Sequence, residues 1–259
     1  MKRRQLIRHG SIVLLTAMGS GYISKALAQT SKNRTDAVTI KYLGHSCFLF
    51  SGNGLDILVN PFRPAGCTAG YRKIDKVPDV VMISSFLLDE GAIEDVSGNP
   101  QVFTESGDYK FQGLKIQGIS TLHDREGGRR FGKNIAWKWQ QGGVNILHLG
   151  GAAAPISIEE KILMGTPDVL LIPVGGGPKA YNPTEAKKAI DTLNPKVVIP
   201  TQYRTAAADP QNCELADVDE FLTLTEGIAA KKLSVDSIAI KPSDLPKDQP
   251  VIRVLQYRE

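Results

Sequence analysis

Residues 169–173 read Val-Leu-Leu-Ile-Pro, with no polar side chain among them. A strand sends alternate side chains to opposite faces, so an entirely apolar strand has to be covered on both sides. That requirement points to a layered fold with this strand near its centre. A second apolar run, Val80–Ile83, also reads as a strand, followed by a short predicted helix through about Val96.

The rest of the pattern is strands first, then strands mixed with helices. Val38-Thr39-Ile40-Lys41-Tyr42 alternates, Gly44-His45-Ser46 turns the chain, Cys47–Phe50 returns, and Gly52-Asn53-Gly54 is a tight hairpin turn before Leu55–Val59. Pro61–Val77 is an irregular loop. Short strands are expected at Gln101–Phe103, Tyr109–Phe111 and Leu114–Gly118, and a hairpin joins Ile135–Trp139 to Asn145–Leu149 across Gln141-Gly142-Gly143. Helices are predicted over Ile156–Met164, from Asn182-Pro183 (an N-cap followed by Pro at the first helical position) and over Val218–Gly227. Strands are predicted at Lys196–Pro200 and Val251–Gln256. The order implies an α/β (α+β) protein in which two packed sheets are flanked by helices, an αββα sandwich formed by one domain over residues 38–259.

Residues 1–28 read as an export signal. A basic start precedes the apolar run Ile12-Val13-Leu14-Leu15, and Ala26-Leu27-Ala28 offers a cleavage site before Gln29. The run is too short to hold a stable transmembrane anchor. Arg3-Arg4-Gln5-Leu6-Ile7-Arg8 resembles the twin-arginine motif, with the general secretory route as the alternative. Residues 29–37 are polar and read as a flexible N-terminus of the exported form. Five of the 31 basic residues and none of the acidic ones lie in residues 1–28, so the remainder is close to neutral. That leaves no electrostatic footprint for nucleic acid.

Four histidines are present, and His9 lies in the leader. His45, His123 and His148 are isolated from one another, with no His-x-His and no cysteine pair at ligand spacing, which excludes a conventional two-zinc centre. Several residues carry two readings. Asp89 reads as a metal ligand or as an acid in the first turn of a helix, suited to its dipole. Glu90 reads as a ligand or as an exposed or Arg-paired carboxylate. His123-Asp124 reads as a metal or general-base site, or as a hydrogen-bonded pocket histidine. His45 and His148 read as structural histidines. Ser84-Ser85 lacks a visible His–Asp partner for a nucleophile. Gly175-Gly176-Gly177-Pro178 reads as a rim turn. Arg125, Arg129 and Arg130 read as an anion-binding cluster or a solvated loop.

The runs Tyr-Leu-Gly-His-Ser-Cys-Phe (42–48) and Ile-Leu-Val-Asn-Pro-Phe (57–62), with Ile83–Glu90 and Val197–Tyr203, resemble the metallo-β-lactamase-fold metal-dependent hydrolases, in particular the branch containing ascorbate-phosphate lactonases. The resemblance spans roughly residues 38–205. In that family the strand after which Ser84 falls ends Thr-His-x-His-x-Asp-His. Here Ser85, Leu87 and Glu90 stand where the histidines belong, and only Asp89 matches. His123 matches a later histidine, Gly151 stands where a bridging Asp belongs, and Gln202 where the final His belongs. Asn60 replaces an Asp before Pro61. The resemblance also implies that the loops carrying Cys67 and Cys213 meet at the mouth of the site, and so a Cys67–Cys213 disulfide; Cys47 reads as a buried small hydrophobe.

The resemblance thus implies the fold together with loss of the two-metal centre, and a pocket made of Asn60, His45, Ser85, Leu87, Gly151 and Gln202. The expected function is an exported, non-catalytic module, periplasmic or lumenal in a thylakoid-bearing cell, that binds an unknown small molecule or protein with no cofactor; an assembly factor for a membrane complex is a variant of it. The alternative is a hydrolase with a rebuilt mononuclear site, holding one zinc, manganese or iron ion through Asp89, His123 and Glu90 or Asp124, and acting on a small phosphorylated, lactone or ester substrate.

Overall fold

A computed structural model describes residues 36–258; the expected leader and most of the polar segment after it lie outside them. Two sheets face each other. The first has six strands in the order β13-β1-β2-β3-β4-β5. These are β1 (Val38–Gly44), β2 (Cys47–Gly52), β3 (Leu55–Val59), β4 (Val80–Met82), β5 (Gln101–Phe103) and β13 (Ser237–Ile240). The second has eight, in the order β12-β14-β11-β10-β9-β8-β7-β6. They are β6 (Gly107–Phe111), β7 (Leu114–Leu122), β8 (Lys133–Gln141), β9 (Val144–His148), β10 (Val169–Pro173), β11 (Val197–Thr201), β12 (Ala229–Lys232) and β14 (Val251–Val254).

The facing sides of the sheets supply the main core, built on Phe48, Phe50, Ile57, Met82, Trp137, Trp139, Ile146 and Leu171. The apolar β10 is buried on both faces as its sequence requires: Leu171 joins this core, while Leu170 and Ile172 join a second one. That second core is closed by three helices, α1 (Ile158–Met164), α2 (Pro183–Leu193) and α3 (Val218–Leu224), through Met164, Ala186, Ile190, Leu193 and Phe221. Ser157 and Asn182 cap α1 and α2 with reciprocal capping boxes to Glu160 and Glu185.

The outer face of the first sheet is covered differently. Loop residues Phe62, Tyr71, Ile74, Ala208 and Cys213 pack over Leu58, Val81 and Ile83, and the disulfide Cys67–Cys213 ties two of these loops together. Cys47 is free and buried. The helix expected through Val96 is absent; residues 84–92 are irregular, with a turn at 88–90, and only Ile93–Asp95 makes a single 3₁₀ turn. The turn found instead needs a glycine at 91, where a Cβ would lie 2.1 Å from the Ser85 carbonyl oxygen. Strands β12 and β13 were not foreseen, because β12 is wholly exposed and carries no burial periodicity. Among the described residues no helix is long and apolar enough to cross a membrane.

The strand directions position the site. β9, β10, β11 and β14 are mutually parallel, and β7 runs with them because it is two antiparallel pairings from β9. In the other sheet β1, β3 and β4 share a direction. His45 follows β1, Asn60 follows β3, Ser84 follows β4, His123 follows β7, Gly151 follows β9, Gly175 follows β10 and Gln202 follows β11.

Candidate functional site

The segment after β4 is held from below. The Ser84 amide donates to Asn60 Oδ1 (2.8 Å), and Ser84's carbonyl accepts from Ile135 N (2.8 Å). The indole Nε1 of fully buried Trp137 donates to the Ile83 carbonyl (3.1 Å). These bonds fix the start of the turn that delivers Asp89 and Glu90. Asn60 is therefore a brace beneath the site, and it does not line the cleft.

Glu90 is fully buried, contrary to the exposed or Arg-paired alternative. Its Oε1 accepts from Gln202 Nε2 (2.5 Å) and its Oε2 from the Ser85 hydroxyl (3.0 Å). His123 Nε2 stands 3.2 Å from Glu90 Oε2, an ion-pair contact without the alignment of a hydrogen bond, and His123 Nδ1 has no partner. Burial opposes ionisation of Glu90, but the His123 ring outweighs it and holds the carboxyl below its usual pKa. Burial likewise opposes charging of His123, and the Glu90 carboxylate outweighs it and raises that pKa.

Gly151 is pressed against this pair. A Cβ on it would lie 2.2 Å from Glu90 Oε1 and 2.3 Å from His123 Nε2. The space a side chain at 151 would need is thus occupied by Glu90 and His123. The Gly151 amide is itself spoken for, donating to Asn134 Oδ1 (3.0 Å), and Asn134 Nδ2 donates to Thr121 Oγ1 and the Leu149 carbonyl (both 2.7 Å).

Asp89 is not in a helix, so the dipole reading fails. Its Oδ2 is 3.5 Å from His45 Nε2 and accepts from the ammonium of Lys179. Burial alone would raise the Asp89 pKa; the adjacent His45 ring and the Lys179 ammonium prevail and lower it strongly. His45 is buried, its Nδ1 has no partner, and its Nε2 also lies 3.4 Å from Gln202 Nε2. It belongs to the cleft floor and is no satisfied structural histidine. His148 is one: Nε2 meets the Ser46 carbonyl (3.0 Å), Nδ1 accepts from Gly150 N (3.0 Å), and burial lowers its pKa to about 4.

Asp124, a candidate ligand in the sequence, points elsewhere. Its carboxylate accepts the amides of Glu126, Gly128, Arg130 and Phe131 at 2.8–3.0 Å. The Phe131 amide is foremost among the bonds that hold its pKa low. This cradle shapes the loop that sets the Phe131 ring edge-on to His123. Arg125, expected in an anion-binding cluster, is a clamp. It makes a forked ion pair with Glu185 and donates to the carbonyls of Gly177 and Ala180, both at 2.9 Å. That pins the loop bearing Lys179. Arg130 stacks its guanidinium over Phe131 at 4.9 Å.

Above this floor opens a cleft of about 450 Å³, walled by Leu87, Leu88, Cys67, Pro178, Leu215 and Glu214, with His45, Asp89, Lys179 and Gln202 at its polar end. Phe86 points out to solvent. Three buried residues at strand ends here, His45, Asn60 and Gln202, take left-handed φ values of 53°, 53° and 47°. Sequence reasoning named all three for the site but missed Lys179; its signal was the Gly175–Gly177 run, which lets the chain turn tightly back to the floor. A Cβ on Gly175 would lie 2.2 Å from the Gln202 carbonyl oxygen.

A β-lactamase superfamily domain model matches residues 39–202, most of the described chain and nearly every residue of the site. The chain belongs to the β-lactamase superfamily. A superfamily member of known structure from Thermotoga maritima is 30% identical, with a TM-score of 0.67, over 85% of this chain and 100% of that one. A UPF0173 metal-dependent hydrolase of Thermococcus onnurineus is 27% identical over 220 residues, covering 73% of this chain and 97% of that protein. An isothiocyanate hydrolase from Delia radicum gut bacteria shares the fold at 12% identity and a TM-score of 0.56, covering 78% of this chain and 98% of that one.

The relatives' name raises the question of a metal. As arranged, these side chains do not fit a two-ion centre: Asp89 is engaged by an ammonium, Glu90 by Gln202, Ser85 and His123, and residue 151 has no side chain and no room for one. Among the described residues no group of three or more His, Cys, Asp or Glu converges to hold an ion.

Proposed function

We propose that this chain is a small-molecule hydrolase of the superfamily, acting on an ester, lactone or phosphate ester bound in the cleft. The observation that carries this reading is the placement of Asp89 between His45 and Lys179 at the cleft's polar end. The part-exposed Asp89 carboxylate can hold and orient an attacking water, with His45 Nε2 fixing it from below. The Lys179 ammonium, at the same end of the cleft, can supply a donor for the oxygen that gains charge as the substrate is attacked. Glu90 and His123 lie a layer deeper, with no exposed side-chain surface, and position Gln202. The relatives are named metal-dependent hydrolases, which supports the hydrolytic part of the reading and not its independence of metal; no step in it passes through an ion. An exported setting is part of the proposal, supported by the Arg3-Arg4 leader pattern and by a disulfide, which persists outside reducing compartments.

The test is a panel of carboxylic esters, lactones, phosphomonoesters and phosphodiesters, assayed with and without chelator, on the wild type, His45→Ala and Asp89→Asn. Turnover that survives chelation and falls about 10²-fold or more in both variants supports the proposal. Turnover that appears only with added zinc, manganese or iron would instead restore the mononuclear metal reading. No turnover on any class overturns the hydrolase reading.

A second reading, a binding module without turnover, is favoured by the Lys179–Asp89 ion pair, which leaves each group neutralised by the other. A ligand that raises the melting temperature without being consumed would identify it.

A further inference from the structure

We propose that Lys179 is a resident cation, which fills beside Asp89 the place an ion would take and thereby keeps divalent metals out of the cleft. This concerns occupancy rather than catalysis, so it stands or falls separately from the hydrolase reading.

Asp89 is largely buried and carries an ionised carboxylate that has to be compensated. Two compensations are in place, the imidazole of His45 and the ammonium of Lys179. The ammonium is not there by the accident of a long surface side chain. Its loop is fixed by Arg125, which binds the carbonyls on either side of Lys179, at Gly177 and Ala180, and anchors itself on Glu185 at the start of α2. Gly175 allows the close approach to Gln202 on which the loop's course depends, and Gly175 N donates to the Gln202 carbonyl (3.0 Å). A divalent ion entering here would meet Asp89 only by displacing Lys179, and the displaced ammonium would remain tethered a few ångströms away, repelling the ion. Nearby donors that could recruit an ion are also occupied, Glu90 by Gln202, Ser85 and His123.

Removing the ammonium should therefore leave Asp89, with His45 beside it, open to an ion from solvent. Lys179→Met keeps the aliphatic stem and removes the charge. The full-length chain is loaded with Zn²⁺ or Mn²⁺, desalted, and read by ions per chain and by melting temperature. The wild type is expected to retain less than about 0.1 ion per chain and to show no shift in melting temperature. Lys179→Met should melt lower than the wild type and recover by at least about 3 °C when either ion is added. Asp89→Asn/Lys179→Met, which has no carboxylate to compensate, should lose that response. Should Lys179→Met not fold alone, refolding it with Zn²⁺ against refolding it with chelator gives the same readout: soluble protein only with the ion supports the inference. A wild type that retains about one ion per chain, or a Lys179→Met protein that neither binds nor responds to either ion, overturns it.

Discussion

The carboxylate of Glu90 and the imidazole of His123 meet at 3.2 Å with neither side chain exposed to solvent. The two residues come from different sheets, one after β4 and one after β7, so their contact ties the sheets together at the edge where the cleft opens.

Stability should depend on this pair in a defined pH window. The folded-state pKa of Glu90 is lowered, so its contribution is present above the unfolded carboxyl value and lost as the pH falls through the folded one. The folded-state pKa of His123 is raised, so its contribution is complete below the unfolded imidazole value and lost as the pH rises through the folded one. Both are present together between about pH 4.5 and 6.5. Denaturant titrations across pH 4–9 should show a maximum there for the wild type and a flattened profile for Glu90→Gln. Removing one partner, as in His123→Ala, should cost about 3–5 kcal/mol at pH 5.5. An unchanged pH profile in Glu90→Gln would refute the pairing.

Gly151→Ala should destabilise by about 1–3 kcal/mol, since the added methyl meets a carboxylate and a ring rather than space. Gly151→Asp should be worse, adding a second carboxylate beside Glu90. The cost should be non-additive with Glu90→Ala, which vacates the volume, and urea midpoints of the two single and the double variants measure the coupling.

Arg125→Ala should act on the cleft more than on the fold. The Arg125–Glu185 pair is partly exposed, and its loss should change stability by no more than about 1 kcal/mol. The loop 175–181 should become cleavable, however. Limited proteolysis that cuts there faster in Arg125→Ala than in the wild type is the expected result, and equal rates would count against the clamp.

Reducing the Cys67–Cys213 bridge should lower the unfolding free energy by about 3–5 kcal/mol, because it closes a loop with a sequence separation of 146. Melting curves with and without reductant, or of Cys67→Ala/Cys213→Ala, check this; a shift below about 1 °C would show that the two loops are held without it.

The fold was legible because its signals are local and strong. The apolar β10, the Gly52–Gly54 turn and the Asn182-Pro183 helix start each reflect forces acting within a few residues. The site was legible as a set of positions, since Asn60, His45, Ser85, Leu87, Asp89, Glu90, His123, Gly151 and Gln202 do lie in or just beneath one cleft. Their partners were not. Nothing near Asp89 in sequence indicates that its carboxylate faces a lysine 90 positions on, nor that Glu90 is sealed against a histidine from the other sheet. Asp124 sits next to His123 in the chain yet faces away, because adjacent residues at a strand end diverge and the following amides capture its carboxylate. The missed strand β12 has the same cause: it is held by pairing with β14, not by any burial of its own side chains.

The left-handed backbone at His45, Asn60 and Gln202 limits what each position can hold at no cost. Glycine adopts that conformation without the steric penalty a Cβ brings, and asparagine tolerates it better than most, but glutamine has no such dispensation. At position 202 a glycine would ease the backbone and forfeit the amide that reaches Glu90. The side chain that strains the backbone at 202 is thus the same one that holds the buried Glu90 carboxylate, so backbone ease and the floor of the cleft are traded against each other at a single residue.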